Sequence, residues 1–256
     1  MKDGQVLILG GNLGGGNQNI AEIIHSGASS DEVVSSLVSF DGSEAELPPL
    51  ALHQTVLIKN TGDSYLFLVA GGVGINANLD GVATFIPPYL QGPHLYLVDI
   101  TGSQGSYTGR AAKKTNNFGN ERLQRAFHSL TALGGNLFLL GGGYSTFLQN
   151  NSLTLCDDGV AKTGCYLADT LLIEAGGSTF EGLTFKESST NKSLTFSSAR
   201  FGHRVNVLPD GTAIVTGGLK DLPPKGIPTG LLENAEIFNP LRSSDSDKCK
   251  LQAAPE

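Results

Sequence analysis

Four short apolar runs, each closed by a pair of glycines, set the pattern of the chain. They are Val6-Leu7-Ile8-Leu9 before Gly10-Gly11, Leu66-Phe67-Leu68-Val69-Ala70 before Gly71-Gly72, Leu137-Phe138-Leu139-Leu140 before Gly141-Gly142, and Ala213-Ile214-Val215-Thr216 before Gly217-Gly218. Runs this short, bounded by glycine and rich in branched residues, fit buried strands better than helices. The pairs lie 61, 70 and 76 residues apart, and a second marker keeps step with them: His53, His128 and His203 are spaced at 75 and 75. Each histidine opens an apolar run just upstream of a Gly-pair run. Asn60-Thr61-Gly62-Asp63, Gly134-Gly135 and Pro209-Asp210-Gly211 stand between the two runs as hairpin signals. Third strands are predicted at Val33 to Phe40, Leu95 to Ile100, Thr170 to Glu174 and Ala235 to Phe238. A weaker fourth follows in each unit, as in Leu183-Thr184-Phe185-Lys186. Only Ile20 to His25 has a spacing that suits a short turn of helix.

Repetition at this period, with four antiparallel strands per unit, describes an all-β propeller blade. The run Arg200-Phe201-Gly202-His203, Leu208-Pro209-Asp210-Gly211, Ile214-Val215-Thr216-Gly217-Gly218 and Asn234-Ala235-Glu236-Ile237-Phe238-Asn239-Pro240 resembles the bacterial kelch repeat. Arg125-Ala126-Phe127-His128 with Gly141-Gly142 repeats it, and Leu50 replaces the arginine one unit earlier. The resemblance implies about four kelch-type blades, approximately 1–52, 53–124, 125–199 and 200–256, standing alone or as part of a larger propeller. It implies a fold and no particular activity, because kelch propellers include enzymes, adhesins and adaptors. The first blade opens at a second strand, and Lys250-Leu251-Gln252 reads as the last strand of the fourth. The expectation is either a longer chain or self-association through open blade edges.

Gly10, Gly11, Gly71, Gly72, Gly141, Gly142, Gly217 and Gly218 are expected where the backbone turns near a crowded axis, because glycine accepts positive φ. Arg125, Arg200, His53, His128 and His203 recur once per unit. A catalytic group is needed only once, so their expected role is to tie the blades together.

Composition narrows the partners. The chain has 256 residues, 34 Gly, 11 Pro, no Trp and a net charge of −7, with no basic cluster to track phosphates, so nucleic acid is not expected. No apolar run approaches the roughly 20 residues of a membrane helix, and the first residues do not read as a signal peptide. Cys156 and Cys165 bracket a polar, turn-rich loop. A disulfide there would imply an oxidising, extracytoplasmic setting, and two free thiols are the alternative. Cys249 is left over.

Gly10 to Gly16 lacks the third glycine of a dinucleotide fingerprint, since Asn19 stands in its place. Asp157-Asp158-Gly159 lacks the other carboxylates of a calcium loop. Asn150-Asn151-Ser152 and Asn191-Lys192-Ser193 are glycosylation sequons by pattern. A galactose-oxidase-like copper site would have only His25 and His94 outside the repeat, and a sialic-acid-processing site lacks an evident acid–base pair. The reading is a non-catalytic binding scaffold without a cofactor, for a protein or glycan ligand. The alternative is a segment of one of those two carbohydrate-active enzymes. The long connections Asn12 to Asp31, Val73 to Pro93, Gly143 to Ala168 and Leu219 to Glu233 should share one face, with Phe85, Tyr89, Tyr144 and Phe147 available to a ligand.

Overall fold

The computed structural model describes residues 5–11, 21–26, 33–40, 50–72, 95–103, 106–114, 123, 125–145, 148–149, 152–153, 165–188, 195–220 and 230–239. The chain is all-β: eighteen strands form among the described residues. β1 (Val6–Leu9), β2 (Ala21–Ser26) and β3 (Val33–Phe40) form an antiparallel meander. β4 (Gln54–Asn60), β5 (Ser64–Ala70), β6 (Leu95–Ser103) and β7 (Ser106–Lys113) form a second, β3 joining β7 in parallel through Val38–Tyr107 to Phe40–Gly109. β8 (Ser129–Gly134), β9 (Leu137–Gly141), β14 (Thr170–Gly176) and β15 (Thr184–Glu187) make the third. Between β9 and β14, β10 (Tyr144–Ser145) pairs with β13 (Cys165–Tyr166), and β11 (Leu148–Gln149) pairs with β12 (Ser152–Leu153). β16 (Arg204–Val207), β17 (Ala213–Thr216) and β18 (Ala235–Phe238) make the fourth.

Two sequence expectations are corrected at the first unit. Ile20 to His25 is not helical: Ala21–Ser26 is a strand beside β1. Ala21, Ile23 and His25 are buried and alternate with less buried neighbours, the period of a strand. Ile23 and Ile24 suit either periodicity when read alone, and pairing with β1 decides between them. Val33–Phe40 is therefore the second strand after the Gly pair, the place β7 holds after β5, and not the first. Asn12 to Asp31 is consequently not one long connection, and Gly143 to Ala168 carries β10 to β13.

Strand alternation stacks the units in sequence. On β5 and β6, Phe67, Val69, Tyr96 and Val98 pack toward the first unit with Leu7, Ala21 and Ile23. Leu66, Leu68, Leu95 and Leu97 point the other way, against Phe138, Leu140, Leu171 and Ile173 of the third unit. Leu139 then meets Ala213 and Phe238 of the fourth. β8 lies beside both β4 and β16. β5 and β9, covered on both faces, are almost continuously buried, whereas β17 alternates buried and half-buried.

The short turns gather at one end, where Gly102 N–H donates to Asp63 O (3.0 Å) and Ala175 N–H to Asn136 O (2.9 Å). At the Pro209–Gly211 turn, Asp210 accepts from Thr212 N–H and Oγ1–H at 3.0 and 2.6 Å. The Gly pairs stand at the opposite end.

Candidate functional site

Each Gly pair adopts the same two-residue conformation. The φ values are 65 and 116° at Gly10-Gly11, 65 and 94° at Gly71-Gly72, 60 and 104° at Gly142-Gly143, and 64 and 101° at Gly217-Gly218. In the third unit the turning pair is thus Gly142-Gly143, one residue later than Gly141-Gly142, and Gly141 belongs to β9. With that register the third and fourth pairs are 75 residues apart, the spacing of His128 and His203.

A joint of constant form follows from this turn. The second glycine donates its N–H to the carbonyl opening the next unit: Gly11 to Leu50 (2.7 Å), Gly72 to Arg125 (2.8 Å) and Gly143 to Arg200 (2.7 Å). Beside it, the imidazole of the next unit closes over the first glycine. A Cβ on Gly71 would strike the His128 ring and come within 2.5 Å of Arg125 O; one on Gly142 would meet His203 Cε1 at 2.7 Å and Arg200 O at 2.5 Å. The guanidinium groups reach within their own unit. Arg125 donates to Gly142 O (2.9 Å) and Asp169 Oδ2 (2.8 Å). Arg200 donates to Gly217 O (3.0 Å), Asn234 Oδ1 (3.2 Å) and Glu236 Oε1, while Ser197 Oγ and N–H also donate to the Glu236 carboxylate. Arg200 and Glu236 are both buried.

Burial sets the charge state of the histidines. His53 is pushed down to about 4 by desolvation, opposed in part by a hydrogen bond to Leu9 O. His203 is also lowered to about 4, by burial and then by the Arg200 and Arg204 charges. His128 lies well below the ordinary range because of burial, with Arg125, His53 and His203 adding to it. All three are neutral rings at neutral pH, suited to packing and single hydrogen bonds; His203 Nε2 lies 2.9 Å from Ser129 Oγ.

The residue before each histidine forms a second ring of contacts. Leu52, Phe127 and Gly202 all have positive φ (60, 55 and 66°), and Phe127 N–H donates to Leu52 O (3.4 Å) as Gly202 N–H does to Phe127 O (2.8 Å). The left-handed conformation costs a non-glycine residue about 1–2 kcal/mol. The second and third units therefore hold large apolar side chains at a strained position that the fourth fills with glycine. Aromatic rings collect there: Phe127 is 6.0 Å edge-on from Phe201, Phe201 stacks on Tyr166 at 5.3 Å, and Tyr166 meets Tyr144 at 5.5 Å. Phe127 and Tyr166 are half-buried. Of the ligand-face residues expected from sequence, Tyr144 is buried, because Ala126 pairs with its backbone and Tyr166 covers its ring. Phe85, Tyr89 and Phe147 lie outside the described residues, as does Cys156; Cys165 lies in β13. Tyr166, Phe201 and the strained pair Leu52 and Phe127 escaped the sequence reading. The signal for them was Gly202, which marks in one unit the conformation its counterparts must share.

A further polar cluster lies between the second and third units. Arg110 pairs with Asp99 (2.9 Å) and Glu181 (2.6 Å) and lies over the Phe180 ring, while Lys114 donates to Phe180 O (2.8 Å). Asp99, Arg110, Thr101 and Thr108 line an open depression whose charges are already paired.

Among the described residues, no three His, Cys, Asp or Glu side chains gather as metal ligands, and no helix is long and apolar enough to cross a membrane. No family model matches the chain, and no curated protein matches it.

Proposed function

We propose that the chain is a run of kelch-type β-propeller blades that acts as a non-catalytic binding scaffold, meeting a protein or glycan on the face that carries the long connections. The observation that carries this reading is the use made of Arg125, Arg200, His128 and His203. Each is engaged once per unit in a joint or a strand-to-strand tie, in a form that repeats. Groups spent on the scaffold leave recognition to the end where Phe127, Tyr166 and Phe201 cluster, at the base of the long connections. Of these, Phe127 and Tyr166 are half-buried and Phe201 is the buried ring behind them; half-buried rings on a rigid support suit stacking against sugars or apolar side chains. Placement outside the cytoplasm belongs to the same proposal and rests on a Cys156–Cys165 bridge.

Binding to glycan and protein panels, compared between the native chain and Tyr166→Ala, tests it. A ligand whose affinity falls about tenfold or more with an unchanged melting temperature supports the reading. Affinity indifferent to Tyr166, or mapped to the short-turn end, overturns it.

A further inference from the structure

The seam between the third and fourth units carries a buried histidine and the aromatic cluster together. Phe127 and Tyr166 belong to the third unit, whereas Phe201 belongs to the fourth and stands two residues before His203. Backbone ties cross the same seam: Gly143 N–H donates to Arg200 O (2.7 Å) and Gly202 N–H to Phe127 O (2.8 Å). Any outward movement of the segment Arg200 to His203 therefore carries Phe201 away from Phe127 and Tyr166.

His203 is held in this seam as one tautomer. Ser129 Oγ–H donates to Gly141 O (3.4 Å), so the 2.9 Å contact between Ser129 Oγ and His203 Nε2 uses an Nε2–H. Nδ1 is then the bare nitrogen, and among the described residues it is buried without a hydrogen-bond partner. The residue is only 4% exposed, with Gly142 against Cε1 and the Phe196 ring edge-on at 5.2 Å. A second proton has to enter at Nδ1. The charges around the ring oppose it: Arg200 and Arg204 on its own segment, with His128 across the seam coupled to it in the same sense. The nearby carboxylates are committed, Glu236 to Arg200 and Ser197 and Asp169 to Arg125. An imidazolium here is an unpaired buried charge, and swinging the segment out to water relieves it.

Packing resists that swing less here than at the preceding seam. Val205 and Val207 lie on the face of β16 that meets the third unit, opposite Val215 and Ala213, yet Val205 is half-buried and Val207 is 38% exposed. Between the second and third units, Leu68, Leu97, Leu140 and Leu171 are fully buried, and Arg110 pairs with Glu181 across the seam. We infer that His203 is a proton-operated catch: neutral, it holds the Arg200 to His203 segment against the third unit, and protonated, it releases that segment and dismantles the Phe127–Phe201–Tyr166 cluster while the sheets stay paired. Acid thereby switches off the recognition end of the proposed scaffold. That use rests on the binding reading above; the catch itself does not.

Amide hydrogen exchange of the intact chain, followed from neutral pH to pH 4 and corrected for the intrinsic rate at each pH, tests the catch. The ring titrates at about 4 in the closed seam and at the ordinary 6.5 once released, so acid drives opening across that window. Protection at Gly143 and Gly202 should fall about tenfold for each pH unit within it, and should lie below that of Gly72 at the preceding seam and of the β9 amides. His203→Gln, which can present an N–H to Ser129 but does not titrate, should remove the slope. Gly143 and Gly202 exchanging no faster than β9 at every pH would overturn the catch, and this comparison needs no variant. A slope that persists in a folded His203→Gln chain would overturn it too. If the slope is found and no ligand depends on Tyr166, the binding reading fails and the catch stands.

Discussion

The His128 imidazole occupies the space into which a side chain on Gly71 would project, and His203 stands in the same relation to Gly142. Gly217 is the contrasting position: its φ is the same, but a Cβ there would meet nothing within 4 Å. Alanine substitutions should therefore separate two costs. Gly217→Ala bears only the left-handed backbone strain, about 1 kcal/mol. Gly71→Ala and Gly142→Ala add overpacking against a ring and a carbonyl and should cost about 2–4 kcal/mol. Denaturant midpoints at constant m-value measure the difference. Equal losses at the three positions would contradict the joint.

The Arg200–Glu236 pair is buried on both sides, so removing one partner leaves an uncompensated charge. Glu236→Ala should cost about 3–5 kcal/mol, and the double change Arg200→Met with Glu236→Leu should cost distinctly less than either single change. In the third unit Arg125 is buried while its acid, Asp169, is 37% exposed, so Asp169→Asn, which keeps an amide oxygen as acceptor beside a partly solvated site, should cost less than Glu236→Ala. Urea unfolding of these variants tests this ordering.

Acid should weaken the protein through its histidines. His53 and His203 titrate at about 4 in the folded chain against 6.5 in the unfolded one. Above pH 6.5 both states are neutral at these sites and nothing changes. Between 6.5 and 4 the unfolded chain binds protons that the folded chain does not, so stability falls as pH falls, by up to about 3 kcal/mol for each ring. His203→Asn should flatten the decline in that window. A stability that rises on acidification from 6.5 to 4 would contradict the buried neutral rings.

Much of this was legible in the sequence because two markers repeat in step. Histidines at 53, 128 and 203 open β4, β8 and β16, and the glycine pairs close β1, β5, β9 and β17. What was hidden depended on pairing partners. Ile23 and Ile24 suit a helix or a strand until β1 is placed beside them. The triple Gly141-Gly142-Gly143 does not say which two residues turn; the Arg200 carbonyl and the His203 ring select the later pair. Tyr144 reads as a loop aromatic until Tyr166, more than twenty residues away, is brought across it. The acids serving Arg125 and Arg200 come from different positions, Asp169 just before β14 and Glu236 within β18, so no single spacing reveals them.

Leu52 and Phe127 supply a test of the aromatic end that does not depend on knowing a ligand. Replacing Phe127 by glycine relieves left-handed strain while removing a half-buried ring, so the two effects oppose and net stability should change by no more than about 1 kcal/mol. A loss of about 3 kcal/mol or more, the size of a core Phe truncation, would mean that Phe127 is a core residue and not part of a recognition surface. Thermal denaturation of Phe127→Gly beside Leu52→Gly measures it.

The repeated joint is tested most directly by proton–proton contacts in the folded, isotope-labelled chain. Nuclear Overhauser effects should connect the His128 ring Hε1 to the Gly71 α-protons and the His203 ring Hε1 to the Gly142 α-protons, with matching patterns at the two joints. Their absence from both joints, in a protein whose amide spectrum shows it to be folded, would contradict the account.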